Sequence, residues 1–541
     1  MSAAPDTDKS AASKSTASKP AGHKSLGVAA RQIGGLTAIS RVLGFVRDIA
    51  FAIFLGAGPI ADAFLVALKL PNMFRRLSAE GAFTNAFLPQ FSQEKNANGL
   101  KSALFLAAEI QIILTFVLVV LVVAAEIFMP ALIGLLAPGF ADTPDRMAAA
   151  IALARVTMPY LPLISLVALY IAIANAHDRF GVGAAMPIIL NISLIAGACL
   201  IPFMSGDMLG GTYNAPLAMP LAIAVLVAGI LQLAIMYHLL RKSDLAPPFI
   251  WPRFSAAGRR MWRKFLPAAF GAAGMQLNTL VDLILASLLP VGTISWLYFA
   301  DRVAQLPLGI IGIALGTALL PRLSRAEAEA DHAAIPKALS EAISLGGFFI
   351  IPAVAAMIML ADHITLGLFG YGAFSEGDVA ATAAALAVYA LGLPGFVLIK
   401  ILQTAFYASG RPGHVLTISL IMVAVNIIGS LLLMGPLGHV GLALATSLAA
   451  SVAAGLMIVL LAREGKLHWR VLSPLIKPVI AALVMLAGLK LGLIGIGGMT
   501  GSFLATLPAA LVLAGLVAIG GGFYFGSAVL LGALPKGVFR R

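Results

Sequence analysis

Four arginines, Arg41, Arg47, Arg75 and Arg302, and three aspartates, Asp48, Asp62 and Asp301, stand in stretches otherwise apolar enough to lie in a membrane. A charged side chain at the bilayer centre costs about 2.5–3.5 kcal/mol, so a group of them marks a site. With a 1.5 Å rise per residue, Arg41 lies roughly 12 Å from the cytoplasmic face and Arg47 and Asp48 about 21 Å deep. Arg75 returns to about the level of Arg41, and Asp301 and Arg302 lie roughly 12–13 Å from the outer face. Snorkelling to the interface does not serve Arg47 or Arg302. Thr37, Arg41, Gly44 and Asp48 follow one another at spacings of 4, 3 and 4, one stripe of a helix that must turn away from lipid. Asp48 and Asp301 can each neutralise one arginine, which leaves a net positive cavity. Guanidinium forks in such a place suit an anionic ligand, phosphate above all. The chemistry expected is binding, because no acid–base pair or nucleophile constellation stands out and the chain is read as no enzyme.

The elements that hold these residues are membrane helices. Of 541 residues 60% are hydrophobic and 11% charged, with mean hydropathy +0.99, which excludes an ordinary soluble protein. About fourteen apolar runs are each long enough to span a bilayer. They fall near 33–57, 60–91, 102–137, 150–175, 183–204, 215–241, 262–289, 293–322, 338–361, 377–408, 414–434, 439–462, 473–495 and 503–532. The fold class expected is an all-α polytopic membrane protein. The net charge of +13 lies mainly in alternate loops, including Arg241, Lys242, Arg259, Arg260 and Arg263, while the opposite loops are nearly free of Lys and Arg. The positive-inside rule therefore accounts for it, nucleic acid is not a partner, and both termini are cytoplasmic. Residues 1–24, rich in Ser, Ala and Lys, read as a disordered cytoplasmic tail. One cysteine, Cys199, permits no internal disulfide. A phosphate-binding loop and metal-binding motifs are absent from the sequence.

The chain repeats itself. "AFLPQFS" at 86–92 matches "ALLPRLS" at 318–324, an offset of 318 − 86 = 232, and the same offset takes Leu161-Pro162 to Leu393-Pro394 and Arg179 to Arg411. Each unit holds six spans, an even number, so the copies share one orientation around an axis along the membrane normal, with the substrate site at their interface. The organisation expected is a six-helix lobe at 25–241, a basic linker at 242–261, a second six-helix lobe at 262–470, and two further spans with a basic end at 471–541.

"SRVLGFVRD", "ADAFLVALKLPNMFRRLSAEGAF" and "SWLYFADRVAQLPLGIIGIALGTALLP" resemble the signature segments of the MurJ/MviN lipid II flippases, and the resemblance runs from about residue 30 through the last two spans. It implies translocation of an undecaprenyl-pyrophosphate-linked peptidoglycan precursor across the bacterial inner membrane by alternating access. The other reading is a flippase or antiporter of the same superfamily, for another polyprenyl-linked glycan or a drug or cation. Carried over residue by residue, the family's substrate arginines match Arg41, Arg47, Arg75 and Arg302, with Glu80 as the acid of "AEG". Its gate residues match Asp48, Asp62 and Ser295, with Asp301 beside Arg302. The resemblance also implies a hydrophobic groove for the polyprenyl tail, made by the last two spans and the repeat. Some members bind sodium in the second lobe, where this sequence offers Asp282, Asn426 and Thr446, but Ser430 stands in place of a second carboxylate. No other cofactor is expected. The partners implied are lipid II, membrane lipids and cell-wall synthesis proteins.

Overall fold

The computed structural model describes residues 26–79, 82–204, 215–251, 255–329, 331, 333–467, 473–497 and 508–535. Within these helices, the side chains at 26–33, 74–79, 82, 84–85, 204, 215–216, 264, 266–277, 313 and 496–497 are outside the description. The expected tail at 1–24 and Glu80 lie outside the described residues.

All regular structure among the described residues is helical. The first block is α1 (Leu26–Leu55), α2 (Pro59–Ala79), α3 (Ala82–Ile127), α4 (Met129–Leu136), α5 (Pro144–Thr157), α6 (Tyr160–Asn175), α7 (Phe180–Met204) and α8 (Met219–Arg241). The second is α9 (Ala256–Ser287), α10 (Thr293–Pro307), α11 (Ile313–Ala328), α12 (Ala334–Met359), α13 (Ala361–Phe369), α14 (Glu376–Ala408), α15 (Pro412–Leu437) and α16 (His439–Arg463). α17 (Ile476–Gly497) and α18 (Ala509–Leu530) follow. The repeat is visible in the helix starts: 129 + 232 = 361 for α4 and α13, 144 + 232 = 376 for α5 and α14, and 180 + 232 = 412 for α7 and α15. Proline repeats with the frame inside the helices, Pro89 of α3 answering Pro321 of α11 at 89 + 232 = 321.

Among the described residues eleven helices or helix pairs are long and apolar enough to cross a membrane. α1 and α2, with their arginines and aspartates, are not among them, nor is α9, whose described apolar part is Asn278–Ser287. Two boundaries differ from the sequence reading. The loop expected at 92–101 is helical, and α3 breaks at the single residue Gly99, whose φ of 83° a residue without a side chain adopts readily. The linker expected at 242–261 ends earlier, because Ser255 accepts a hydrogen bond from Gly258 N and starts α9 there.

In lipid the hydrophobic effect does not drive helices together, and close approach of small residues does more of the work. At Gly395 of α14 a Cβ would stand 2.9 Å from the Ala450 carbonyl carbon of α16, so that pair packs backbone to backbone. α17 and α18 pack on each other and on α12 and α13, where the buried Tyr524 hydroxyl donates to the Phe348 carbonyl.

Candidate functional site

α1 and α2 of the first block meet α10 of the second, and the end whose loops are poor in Lys and Arg, which the sequence reading expects to be the outer one, is sealed in two tiers. In the inner tier Asp48, 2% exposed, receives Arg47 Nε at 2.9 Å and Nη2 at 2.6 Å. From α10 the Tyr298 hydroxyl donates to the same Asp48 Oδ1 at 2.7 Å, and Arg302 Nε stands 3.6 Å from Oδ2. Arg47 Nη1 also donates to Asn191 Oδ1 of α7 at 3.0 Å, so its donors are committed to the seal. Arg302 is held more loosely. Its guanidinium lies 4.8 Å over the Tyr298 ring, and Nε has no hydrogen-bond partner among the described residues. The expected cluster of Arg47, Asp48 and Arg302 is thus assembled, and Tyr298 and Asn191 join it. Asp301 does not enter it through its described hydrogen bond, which it accepts from Gln305 one turn along α10.

In the outer tier Asp62 completes a helix of the opposite lobe. α10 begins after Gly292, which has φ 95° and offers no side chain to cap the first turn. Asp62 Oδ2 accepts Gly292 N at 2.8 Å, while Oδ1 accepts Ser295 N at 2.9 Å and the Ser295 hydroxyl at 2.6 Å. These are the bonds of an N-cap, supplied from α2 across the interface. A carboxylate at that end also meets the positive pole of the helix dipole. The fourth partner is Arg146 of α5, whose Nη2 donates to Asp62 Oδ2 at 2.5 Å. Around this tier the backbones touch. Ala373 N donates to Ile53 O at 2.8 Å, and a Cβ on Gly139 would fall 2.0 Å from Ser287 O.

Toward the basic loops α3 and the start of α9 stay in contact, Ser255 N donating to Glu109 Oε1 at 2.7 Å, while α1 is uncovered. No described side chain from 34 to 46 of α1 is buried, whereas Asp48, Ala50, Phe51, Ala52 and Leu55 are. Arg41 is exposed there, and its Nη1 would be 2.7 Å from a Cβ on Gly309, so the guanidinium rests on bare backbone. Gly309 belongs to a π-turn, Leu308–Gly312, that follows Pro307 and joins α10 to α11. From this turn an apolar cleft of about 390 Å³ opens, lined by Pro307, Ile310, Ile311, Ala314, Leu345 and Phe349. Phe349 also borders a second apolar cleft of about 250 Å³ between α12 and the α17–α18 pair. Arg75 lies on α2, with its side chain outside the description.

In the second lobe Asp282, Asn426 and Thr446 do converge. Asn426 Nδ2 donates to Asp282 Oδ1 at 2.7 Å and to Asn278 Oδ1 at 2.9 Å, and Thr446 Oγ1 donates to Asn426 Oδ1 at 3.1 Å. Asn278 completes the set, donating to Asp282 Oδ2 at 3.1 Å. As arranged, these groups satisfy one another, and the amide turns a donor rather than an oxygen toward the carboxylate, which does not fit a cation cage. Ser430 Oγ is buried without a hydrogen-bond partner among the described residues. No group of three or more His, Cys, Asp or Glu among the described residues is placed to hold a metal.

Two duplicated lobes of apolar helices, sealed against each other at one end by buried carboxylates and their donors, define a polytopic transporter. The family model described as "Lipid II flippase MurJ" matches residues 51–509. A probable lipid II flippase MurJ of Rhizobium meliloti (strain 1021) is 36% identical over 514 residues, 94% of each chain. The lipid II flippase MurJ of Burkholderia cenocepacia is 32% identical over 438 residues, 80% of this chain and 83% of that one. The chain therefore belongs to the MurJ family of lipid II flippases. Its fold is that of a solved lipid II flippase MurJ in an inward closed conformation, with TM-score 0.76, 24% identity, and coverage of 92% of this chain and 98% of that one. An inward-facing multidrug transporter of the MATE family shares it more distantly, with TM-score 0.63 and 15% identity over 81% of this chain.

Proposed function

We propose that this protein carries lipid II from the cytoplasmic to the outer leaflet of the bacterial inner membrane by rocking its two lobes about the pocket between α1, α2 and α10. The observation that carries this is the placing of Arg41, a cation resting on the π-turn where the apolar cleft begins. A pyrophosphate there would be joined to a hydrocarbon chain running along α12, which matches a polar head on a polyprenyl tail. Arg302 would be the second grip on the phosphates, released from Asp48 as the ligand arrives. Arg75 is assigned to the same site on its depth alone, and Glu80 on the resemblance. Arg47, Asp48, Asp62 and Ser295 act as the outer seal.

The orientation belongs to this reading. Counting α1, α2 and α9 as spans gives fourteen, and the basic loops then place both termini in the cytoplasm. A cation antiporter would want a pocket whose key charges are acidic, and the mobile groups here are arginines. Chemistry on the substrate is not part of the reading, and contacts with other cell-wall proteins remain an expectation of it. The test is reconstitution of the pure protein in vesicles with lipid II and measurement of its transfer between leaflets, with and without a membrane potential. Transfer that depends on Arg41 and Arg302 supports the reading. Transfer indifferent to both overturns it.

A further inference from the structure

Arg146 is the largest fully buried side chain among the described residues, 2% exposed, and it is a charge near the membrane. Its guanidinium is held on one face and at one edge. On one face it lies 3.8 Å over the Phe140 ring, and at its edge Nη2 donates to Asp62 Oδ2 at 2.5 Å. Phe140 and Gly139 sit in the short 3-10 turn Pro138–Asp142, and Gly139 N donates to Ser287 Oγ of α9 at 3.3 Å. Arg146 thus joins two of the outer contacts between the lobes, the cap on α10 and the turn against α9.

Asp62 is 0% exposed in this closed arrangement. The donors it receives from α10 are two backbone amides and one hydroxyl, and none carries a charge. A carboxylate removed from water needs a counter-charge as well as hydrogen bonds, and removing one member of a buried pair leaves the other uncompensated. When the outer end opens, water reaches Asp62 and that need falls. The closed state alone depends on the pair.

We propose that Arg146 is the resident counter-ion of the outer gate, a positioning residue that keeps Asp62 ionised and dry while it caps α10. The inference rests on the reading of Asp62 as a gate residue. It differs from a strut role because the requirement for Arg146 exists only while residue 62 carries a charge.

The experiment measures gate opening without lipid II. In a Cys199→Ser background, spin labels are placed at exposed outer positions, Leu135→Cys in the first lobe and Glu376→Cys in the second, and the distance distribution is recorded by pulsed electron resonance in nanodiscs. The parent protein should give one short, closed population. Arg146→Met should move at least half of it to longer distances, Arg146→Lys should move much less, and Asp62→Asn combined with Arg146→Met should bring the short population back. Monodisperse elution of each variant shows that it is folded. If Arg146→Met opens the outer end and the added Asp62→Asn does not reclose it, Arg146 is a strut and the proposal fails. If Arg146→Met stays closed while Asp62→Ala opens, the gate reading stands and the counter-ion does not. If both stay closed, the gate reading itself is lost.

Discussion

Laid over each other at the 232-residue offset, the two lobes keep the same skeleton and exchange the charges. Arg41, Arg47, Asp48 and Asp62 of the first lobe fall on Ala273, Thr279, Leu280 and Ile294 of the second. Going the other way, Ser295, Tyr298 and Arg302 fall on Ala63, Val66 and Leu70. The first lobe therefore supplies the carboxylate acceptors, and the second supplies donors that close on them. The outer pairing shows the same exchange. Arg146 at the start of α5 ties to Asp62 of α2, while its counterpart at 146 + 232 = 378 is Asp378 near the start of α14, which accepts Trp296 Nε1 of α10 at 2.8 Å. Duplication fixed a frame in which two helices are pinned at their outer ends. Divergence then made the faces complementary, so that each lobe closes on its partner and not on a copy of itself.

That contrast can be broken at several points. The largest effect should come from Gly139→Val, since a Cβ there would fall 2.0 Å from the Ser287 carbonyl. Backbone cannot yield as a flexible side chain does, so the outer seal should fail and lipid II export, scored as rescue of a depleted strain, should be abolished at normal abundance. Next is Arg302→Lys, which keeps the charge and loses the planar fork and the seat on Tyr298. Loss of a charge-assisted hydrogen bond costs about 1.5–3 kcal/mol, so transfer in vesicles should fall roughly ten- to a hundred-fold. Wild-type transfer by this variant would make Arg302 a counter-ion only. Tyr298→Phe removes the second lobe's only neutral donor to Asp48 among the described bonds, and about 1 kcal/mol less closure should slow transfer roughly five-fold.

The smallest effect should lie far from the interface, at the bidentate pair of Arg411 with Glu464, both bonds 2.6 Å, where the α14–α15 turn meets the end of α16. The Arg411 hydrogen bond holds the Glu464 carboxyl below its ordinary range. Because the folded value is depressed, the stabilisation is full above the ordinary glutamate pKa and is lost as pH falls through the folded value. Both groups are part-exposed, so Glu464→Gln should cost about 0.2–1 kcal/mol in detergent unfolding at pH 7 and leave transfer unchanged. A loss as large as that at Gly139 would show that the cytoplasmic ends, too, carry the difference between the lobes.

The frame was legible in the sequence because membrane helices declare themselves by length and hydropathy, and a duplicated chain declares its own offset. The stripe of Arg41 and Asp48 on α1 was legible for the same reason. Tyr298 was within reach, since it stands three residues from Ser295 and four from Arg302 on one face of α10, but its hydroxyl reads as an ordinary aromatic without knowledge of what faces it. Arg146 had a signal as well, being a basic residue at the end whose loops are otherwise nearly free of them. What no pattern carried was contact across the interface. Arg41 over Gly309 depends on a π-turn after Pro307, and the cap on Gly292 depends on a residue 230 positions earlier in the chain. The second-lobe polar cluster was found by position, yet whether its oxygens face inward or bond one another is a matter of rotamers.

The borrowed cap on α10 sets an energy scale for the whole cycle. A helix that carried its own capping residue would lose nothing when the lobes part. Here the first turn of α10 is finished only when the lobes meet, and an N-cap is worth about 0.5–2 kcal/mol. Moving one elementary charge through 100 mV of membrane potential is worth about 2.3 kcal/mol. The share of the latch that the cap supplies is thus of the same order as the everyday energies of the membrane around it.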